Sequence, residues 1–333
     1  MMRNSKKILA TIAFSTMALG LVACGKSNNK AENTAEPQSS VEAEKNESNA
    51  SDTVVVKDAR GEVTIPANPK RIVDISGNSD ILSILGYSVV GTANSDAYDY
   101  TKFPTYLQDV LKDAKILGYS MQNEMDVESI LALNPDLIII SSVQEGMYKQ
   151  LQEIAPTVMI ELAQIDWTED LMEVAGIFNK TEEATAWLAD YKKKASDVGA
   201  ALKDTYGKDS SYLAFLASAG NIFVFDAAGV GSILYNDMGL TKPKGMPTQS
   251  DISLPVVTYE GLAAIDADYI LAIGTDEDLK ALYESSIWKS IPAVKAGHVV
   301  ELPASPYFNM GYSSIGRLGF VNEIAGLMEK VNE

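Results

Sequence analysis

A unit of helix, acidic turn and apolar strand occurs twice in the sequence, and this repeat constrains the fold more than any other feature. The first copy spans residues 126–140, and the second spans residues 257–273. Around each copy, short apolar strands alternate with helical patterns, which is typical of α/β sheets. Residues 137–140 are apolar throughout, as expected for a parallel strand that is covered on both faces. We therefore predict two similar α/β lobes.

One long helical pattern separates the two copies. Residues 181–206 contain no proline and a single glycine, Gly199, and Thr181 is the predicted N-cap. Apolar side chains recur at steps of three and four residues, at Leu188, Tyr191, Ala195, Val198 and Leu202. A helix of this length spans roughly 37 Å, more than a crossover between neighbouring strands requires. We predict that it runs from one lobe to the other.

The N-terminal residues carry the pattern of an export signal. Basic residues at Arg3, Lys6 and Lys7 precede an apolar stretch at 8–22, which is too short to span a membrane and is typical of a signal peptide. The stretch ends in LVAC at 21–24 and resembles the lipobox of bacterial lipoproteins. The resemblance implies cleavage after residue 23 and lipidation of Cys24. An ordinary secretory signal is the alternative.

The residues that follow the signal are polar. Residues 24–52 are rich in Ser, Asn, Glu, Ala and Lys, and such a segment buries too little apolar surface to fold. We predict a flexible tether that holds the folded lobes at the extracytoplasmic face of the cell membrane through the lipid on Cys24.

Composition excludes several classes of function. The chain has 45 acidic and 27 basic residues and a net charge of -18, which argues against nucleic-acid binding. One Cys and one His exclude a disulfide framework and argue against a zinc or manganese site. The sequence contains no Walker loop, no dinucleotide-binding glycine pattern and no nucleophile elbow, and its one histidine, His298, lies in a predicted turn. We expect no enzymatic activity, no resident cofactor and no protein metal ligand.

Candidate ligand-binding residues lie in loops after the predicted strands. In open α/β sheets, ligands bind outside the carboxyl ends of the strands, so two facing lobes place several loops around one cleft. Aromatic residues are frequent in these loops, which suits a bulky, partly apolar ligand. The predicted site residues are Asn78, Tyr98, Tyr100, Tyr119, Met121, Gln144, Trp167, Ser218, Tyr307, Asn309, Tyr312 and Arg317. Arg317 is predicted to bind ligand oxygens with both guanidinium nitrogens; a surface ion pair is its alternative role.

Several segments resemble the substrate-binding lipoproteins of iron–siderophore ABC transporters, including ferric-hydroxamate-binding proteins. They are VTIPANPKRIV at 63–73, ILALNPDLII at 130–139, IAPTV at 154–158, SSIWK at 285–289 and AVKAGHV at 293–299. The resemblance covers nearly all of residues 53–333. It implies a class III substrate-binding protein with two Rossmann-like lobes, limited closure and no enzymatic activity. The lobes are then residues 53–166 and 207–333, joined by a connecting segment at 167–206.

The resemblance also implies where the permease of the transporter binds. In the family, one glutamate from each lobe docks onto a basic pocket of the permease. The matching residues are Glu128 and Glu260, which occupy equivalent positions in the two copies of the repeat. Exposed acids also steer the encounter with a basic partner. The alternative is that both are ordinary acids on helix surfaces.

The type of ligand follows from the scarcity of arginine. Some ferric-hydroxamate-binding members have a ligand-contacting Arg after a second-lobe strand, where this chain has Val230. Catecholate and citrate binders use several basic residues, and a cleft with one Arg would neutralise such anions poorly. We therefore expect a monomer that binds a ferric siderophore of the hydroxamate or mixed hydroxamate–carboxylate type.

Other readings of the sequence stay open. The same fold binds haem or a corrinoid in some proteins, and Met121, Met246 or Met310 is then a candidate axial ligand to haem. A ferric citrate or catecholate receptor and a lipid-anchored enzyme or adhesion module are further alternatives.

Overall fold

Two five-stranded sheets, each covered by helices, form the two lobes, which a long helix connects; β1 and β2 pair as a separate two-stranded sheet. The computed structural model describes residues 52–162, 165–251 and 253–332. The strands are β1 (Thr53–Asp58), β2 (Gly61–Pro66), β3 (Ile72–Asp74), β4 (Val89–Thr92), β5 (Lys115–Ile116), β6 (Leu137–Ser141), β7 (Thr157–Ile160), β8 (Tyr212–Ser218), β9 (Asn221–Val224), β10 (Val256–Val257), β11 (Tyr269–Gly274) and β12 (Val299–Pro303). The α-helices are α1 (Ser79–Ile84), α2 (Gln108–Leu111), α3 (Val127–Ala132), α4 (Tyr148–Leu151), α5 (Trp167–Ile177), α6 (Thr181–Tyr206), α7 (Gly229–Ser232), α8 (Tyr259–Ala263), α9 (Asp276–Glu284), α10 (Pro292–Lys295), α11 (Ala304–Met310) and α12 (Ser314–Glu329).

The two sheets differ in how their strands are paired. The N-lobe sheet has the order β5-β4-β3-β6-β7 and is parallel throughout. The C-lobe sheet has the order β10-β9-β8-β11-β12. In it, β8, β11 and β12 are mutually parallel, whereas β9 pairs antiparallel with both β8 and β10. The strands β6 and β11, which lie next to the central strands β3 and β8, are buried along their whole length. The predicted α/β fold with two lobes is confirmed.

The long helix connects the cores of the two lobes. It spans Thr181–Tyr206, as predicted. Ala184, near its start, packs in the N-lobe core, whereas Tyr191 and Leu202 pack in the C-lobe core. The prediction for its N-cap is wrong: Lys180 occupies that position, because the Lys180 carbonyl already accepts the helical hydrogen bond from Ala184. The helix is thus a strut between the lobes.

The shorter helix before it belongs to the N lobe by its packing. Leu171, Val174 and Ala175 of α5 are fully buried in the N-lobe core. The predicted connecting segment, 167–206, therefore contains one helix that packs on the N lobe and one that links the lobes. The predicted signal peptide, Cys24 and all of the predicted tether but its last residue lie outside the described residues. Among the helices in the described ranges, none is long and apolar enough to cross a membrane.

Candidate functional site

A cavity of about 280 Å³ lies between the lobes, where strands of both sheets end. Its N-lobe walls follow the carboxyl ends of β3, β4 and β5, and its C-lobe wall follows β12, as the rule for open α/β sheets requires. The wall consists of Ser76, Gly77, Asn78, Asn94, Ser95, Pro104, Tyr106, Leu107, Tyr119, Ser120, Met121, Leu162, Trp167, Asp170, Leu254, Phe308, Asn309, Gly311, Tyr312 and Ser313.

A buried carboxylate shapes the turn after β3. Asp74 accepts hydrogen bonds from the Ser76 backbone at 3.0 Å and from the Ser79 hydroxyl at 2.5 Å. Gly77 has φ +96°, and a Cβ there would lie 2.8 Å from the Cβ of Ser120, so this wall needs glycine. These contacts hold Asn78 in the cavity wall, as predicted.

Gln144 lies behind the wall, and its predicted contact with ligand is not supported. Its side chain is fully buried, and its amide nitrogen donates to the carbonyls of Ser120 at 2.6 Å and Gln122 at 2.9 Å. Its amide oxygen accepts from the Ser141 backbone at 3.1 Å. Because these bonds occupy both polar atoms, Gln144 supports the loop at 119–122, and it is this loop that faces the cavity.

Four of the five tyrosines predicted as site residues lie around the opening, and they occupy two different positions. Tyr119 and Tyr312 line the wall. Tyr98 and Tyr100 are 42% and 46% exposed and lie outside it. The Tyr100 ring stacks on Tyr119 at 5.2 Å, and the Tyr98 ring meets the edge of Phe308 at 6.2 Å. Tyr98 and Tyr100 thus form the rim of the cavity.

The phenol of Tyr119 is a neutral group. Burial, with a smaller contribution from neighbouring Tyr100, raises the pKa of Tyr119 to about 12. Burial also raises the pKa of Tyr106 and of Tyr312 well above the usual value. The tyrosines of the wall therefore present uncharged hydroxyl groups to a ligand at neutral pH.

Apart from Leu254, the C-lobe wall is one short segment that includes part of α11. Phe308, Asn309 and Tyr312 face the cavity, and the first two are the side chains that α11 turns toward it. Tyr307 faces the opposite way: it is 8% exposed and its ring packs against Phe320 at 6.3 Å in the C-lobe core. Tyr307 therefore does not line the described wall as predicted, because its side chain packs into the C-lobe core against Phe320.

Ser218 also lies away from the wall. It is the last residue of β8 and pairs with Asn221 across a tight turn to β9. The turn residues Ala219 and Gly220 have φ +48° and +76°. Because the chain reverses here into an antiparallel neighbour, the carboxyl end of β8 carries no loop that reaches the cavity, and Ser218 is not among the described wall residues.

Arg317 is buried instead of facing the ligand, and its predicted role is wrong. It is 1% exposed, donates to the Gly311 carbonyl at 2.7 Å, and forms an ion pair with Asp237 at 2.5 Å. Its guanidinium lies 4.7 Å from the centre of the Trp167 ring, which does line the wall. The predicted surface ion pair is also wrong, since this pair is enclosed by the helices.

The wall contains residues that the sequence analysis missed. Asn94 and Ser95 follow β4, and the rule for carboxyl ends of strands could have identified them. Asp170 lies one helical turn after Trp167, and Leu254 comes from the long loop before β10, where no sequence signal pointed to a site. Asp170 is the one charged residue among the described wall residues, and no Lys, Arg or His is among them.

Three hydrogen bonds to two carboxylates join the lobes beside the cavity. Asp80 of α1 accepts from the Ser313 hydroxyl at 2.7 Å and from the Ile315 backbone at 3.3 Å, at the start of α12. Asp96 accepts from the Ser305 hydroxyl. Burial raises the pKa of Asp80 above its usual value. The two carboxylates of the N lobe therefore anchor both ends of the C-lobe wall segment.

Glu128 and Glu260 occupy matching surface positions. Both are exposed and lie in the first turns of α3 and α8. Each helix leads into an interior strand of its sheet, β6 or β11, and so its N-terminus lies toward the edge at which the cavity opens. Among the described residues, no group of three or more His, Cys, Asp or Glu side chains is placed to hold a metal ion.

Known proteins resemble this chain in sequence and structure. A family model described as periplasmic binding protein matches residues 80–306. The Bacillus subtilis iron(3+)-hydroxamate-binding protein FhuD is 32% identical over 334 residues, with 96% of this chain and 97% of the relative covered. The probable siderophore-binding lipoprotein YfiY of the same organism is 32% identical over 280 residues, which cover 79% of this chain and 84% of the relative.

A solved structure supports the same assignment. A Bacillus subtilis protein of the FhuD fold family, described as the periplasmic binding component of a ferrichrome ABC transporter, superposes with a TM-score of 0.67 at 29% identity. The match covers 82% of this chain and 99% of that structure. The resemblance inferred from sequence motifs is confirmed. The chain therefore belongs to the periplasmic binding protein family, a family of substrate-binding proteins and not of enzymes.

Proposed function

We propose that this protein is the extracytoplasmic receptor of an ABC transporter and binds a ferric siderophore of the hydroxamate or mixed hydroxamate–carboxylate type. The ligand occupies the cavity between the lobes and is passed to the permease. The iron is cargo that arrives wrapped by the chelator, so the protein needs no resident cofactor and no metal ligand of its own. The receptor acts as a monomer.

The charge of the wall is the observation that carries this proposal. Apart from Asp170, its described residues are uncharged: they are aromatic, aliphatic, or neutral and polar. Three hydroxamates neutralise Fe³⁺, so a ferric trihydroxamate enters such a wall without an unpaired charge. A ferric tricatecholate is a trianion, and its burial without cationic partners is strongly unfavourable. One relative, FhuD, is named for hydroxamate binding, which supports this choice, whereas others are named for petrobactin or ferric citrate.

The rim extends the site toward a ligand larger than the enclosed volume. A cavity of about 280 Å³ is at the lower end of the range for ligand pockets. Tyr98, Tyr100 and Met121 are each more than 40% exposed around the opening. These apolar surfaces are available to cover the outer part of a bulky chelate.

A parallel titration tests the ligand type. The full chain, purified in detergent, is titrated with ferrichrome, a ferric tricatecholate, ferric citrate and haemin, with quenching of tryptophan fluorescence as the readout. We expect saturable sub-micromolar binding of ferrichrome and at least 100-fold weaker binding of the two anionic chelates. Equal or tighter binding of the anions would contradict the proposal. Size-exclusion chromatography of the same samples tests the monomer.

Haemin is the control for the alternative reading. Met310 is 5% exposed in the C-lobe core, and the Met246 sulfur lies 3.4 Å from the Tyr235 hydroxyl at the edge of that core. Met121 is the one candidate axial ligand in the wall. We expect no Soret band shift with haemin, and a shift lost in Met121→Ala would favour haem instead.

For permease docking we propose Glu128 and Glu260, one on each lobe. Their exposed carboxylates flank the edge at which the cavity opens and suit a basic partner. In cells, the double variant E128A/E260A should lose iron uptake while the purified protein keeps its affinity for ferrichrome. Glu182→Ala is the matched control, because Glu182 is an exposed first-turn glutamate of α6. Normal uptake by the double variant would exclude this docking role.

For membrane attachment we propose the lipid on Cys24. The Cys24→Ala variant should move from the detergent phase to the aqueous phase of a detergent partition. Wild-type chain in the aqueous phase would contradict lipidation. Both outcomes are independent of ligand binding.

A further inference from the structure

We propose that Arg317 is a positioning residue of the binding site, which fixes two parts of the cavity wall from behind without touching the ligand. This proposal rests on the function proposed above for the same cavity. The two parts are the Trp167 indole of α5, which packs on the N lobe, and the chain at Gly311 in the C lobe.

The guanidinium of Arg317 contacts both parts directly. Its centre lies 4.7 Å from the centre of the Trp167 ring, which is within the range of a cation–π interaction. Its Nη1 donates to the Gly311 carbonyl at 2.7 Å. Gly311 itself has no room to move: a Cβ there would lie 2.4 Å from the Gly229 Cα. One side chain thus sets the separation of an N-lobe wall from a C-lobe wall.

The other terminal nitrogen of the Arg317 guanidinium, Nη2, links this arrangement to the long helix α6 through Asp237. Nη2 of Arg317 pairs with Asp237 at 2.5 Å, and the Tyr191 hydroxyl of α6 donates to the same carboxylate oxygen at 2.6 Å. Tyr191 stacks on Trp187 with ring centres 5.6 Å apart, and Trp167 meets both rings edge-on. The wall indole is therefore held on one side by a charge network and on the other by two aromatic rings of the strut.

A contribution to folding stability alone does not explain this network of buried charged and polar groups. Arg317 and Asp237 are removed from water, and the Nε of Arg317 has no hydrogen-bond partner within the described ranges. Buried ion pairs of this kind are often matched or exceeded in stability by apolar residues of similar volume. An apolar side chain, however, cannot replace the planar guanidinium group, which contacts Gly311 and Asp237 and at the same time covers the face of the Trp167 indole.

The experiment separates positioning from folding. The variants R317K and R317M/D237N are made in the full chain, and the double variant removes both members of the ion pair, so that Asp237 is not left unpaired. Arg60→Met is the matched control, because Arg60 lies 4.5 Å over the Tyr148 ring and pairs with Glu145 at 2.5 Å, away from the cavity wall. The readouts are the Kd for ferrichrome, the urea unfolding curve, and the emission of Trp167 in a W187F/W288F background.

We expect R317K and R317M/D237N to weaken ferrichrome binding at least tenfold under conditions in which they remain folded. In the ligand-free protein, both should shift the Trp167 emission and increase its quenching by acrylamide. Arg60→Met should change neither property. Wild-type affinity and emission in the folded variants would overturn the proposal. So would an affinity loss that only tracks the unfolded fraction while the Trp167 emission stays unchanged.

A failure of the proposed function gives a different pattern. If the wild-type chain binds no ferric hydroxamate, that function falls, while the emission of Trp167 without ligand still decides whether Arg317 positions the indole.

Discussion

The two lobes share a fold but contribute to the cavity in different ways. In the N lobe, the ends of three parallel strands each supply wall residues, such as Asn78, Asn94 and Ser120. In the C lobe, the central strand β8 turns back as a hairpin, and the wall comes from Leu254 and the single segment 308–313 after β12. One antiparallel connection therefore decides which strand ends are open to ligand.

This contrast separates two roles. The N lobe supplies most of the polar wall groups, which are held by a fully buried carboxylate, Asp74, and by the side chain of Gln144. The C lobe supplies an aromatic face whose position depends on contacts to the other lobe, through Asp80 and Asp96. The N-lobe wall is thus built within one sheet, whereas the C-lobe wall depends on the junction between the lobes.

The largest effect is expected from Asp80→Ala, which removes the hydrogen bonds that Asp80 accepts across the junction between the lobes. The Ser313 hydroxyl and the Ile315 backbone then lose their buried acceptor. We expect a loss of about 3 kcal/mol in the free energy of unfolding, measured by urea denaturation. Asp58→Ala is the control, because Asp58 is also a buried acceptor but its partners, the Gly61 and Met159 backbones, lie in its own lobe and away from the cavity wall. If D80A weakened ferrichrome binding no more than D58A, the proposed dependence on the junction would be wrong.

Trp167→Ala tests the wall that lies between the lobes. Loss of a large aromatic from the centre of a binding site costs about 2 kcal/mol, or about 30-fold in Kd. Trp288→Phe changes an indole in the C-lobe core and should leave affinity unchanged. Isothermal titration with ferrichrome measures both, and unchanged affinity in W167A would remove Trp167 from the site.

A pair of smaller substitutions compares the two lobes directly. Asn78 lies after the central strand β3 and Ser218 ends the central strand β8, but only Asn78 lies in the wall. Asn78→Ala should weaken ferrichrome binding by about 1 kcal/mol, close to fivefold, through a lost polar contact. Ser218→Ala should stay within about twofold of wild type. A reversed order would mean that the C-lobe hairpin opens toward the ligand.

The smallest effect is expected on the pH dependence of stability. Burial raises the folded-state pKa of Asp80 above 3.8, so the folded chain holds this proton to higher pH than the unfolded chain does. The contribution of Asp80 to stability therefore falls as pH rises through the raised pKa and is recovered toward pH 3.8. Asp80→Asn removes this titration, while buried Asp74 nearby, whose pKa burial also raises, still titrates. Urea curves at several pH values should show a smaller gain on acidification for D80N, and identical slopes would contradict the assignment.

Much of the fold could be predicted because it depends on periodicity. The bounds of α6 follow from its apolar spacing and its lack of proline, and the buried strand β6 follows from a run of apolar residues. The location of the site was predictable too, since the carboxyl ends of parallel strands define it. The family resemblance rested on short motifs and is confirmed by the comparisons.

Individual site residues were harder to predict because the direction of a side chain depends on tertiary packing. Tyr307 and Phe308 are adjacent in sequence, yet the phase of α11 turns one into the core and the other into the cavity. Arg317 looked like a ligand contact because arginine is scarce, but a buried partner, Asp237, lies 80 residues away in sequence. The sequence around Arg317 contains no signal that predicts its ion pair with Asp237.

The continuity of the C-lobe wall has a consequence for how specificity changes. Apart from Leu254, every described C-lobe residue of the cavity lies in the contiguous stretch 308–313. The residues that fix its ends, Ser305 and Ser313, contact the other lobe through side-chain hydroxyl groups. Residues 308–313 therefore form one exchangeable segment. Replacing this segment as a unit should change the ligand preference of the receptor while the two sheets and the long helix stay unchanged.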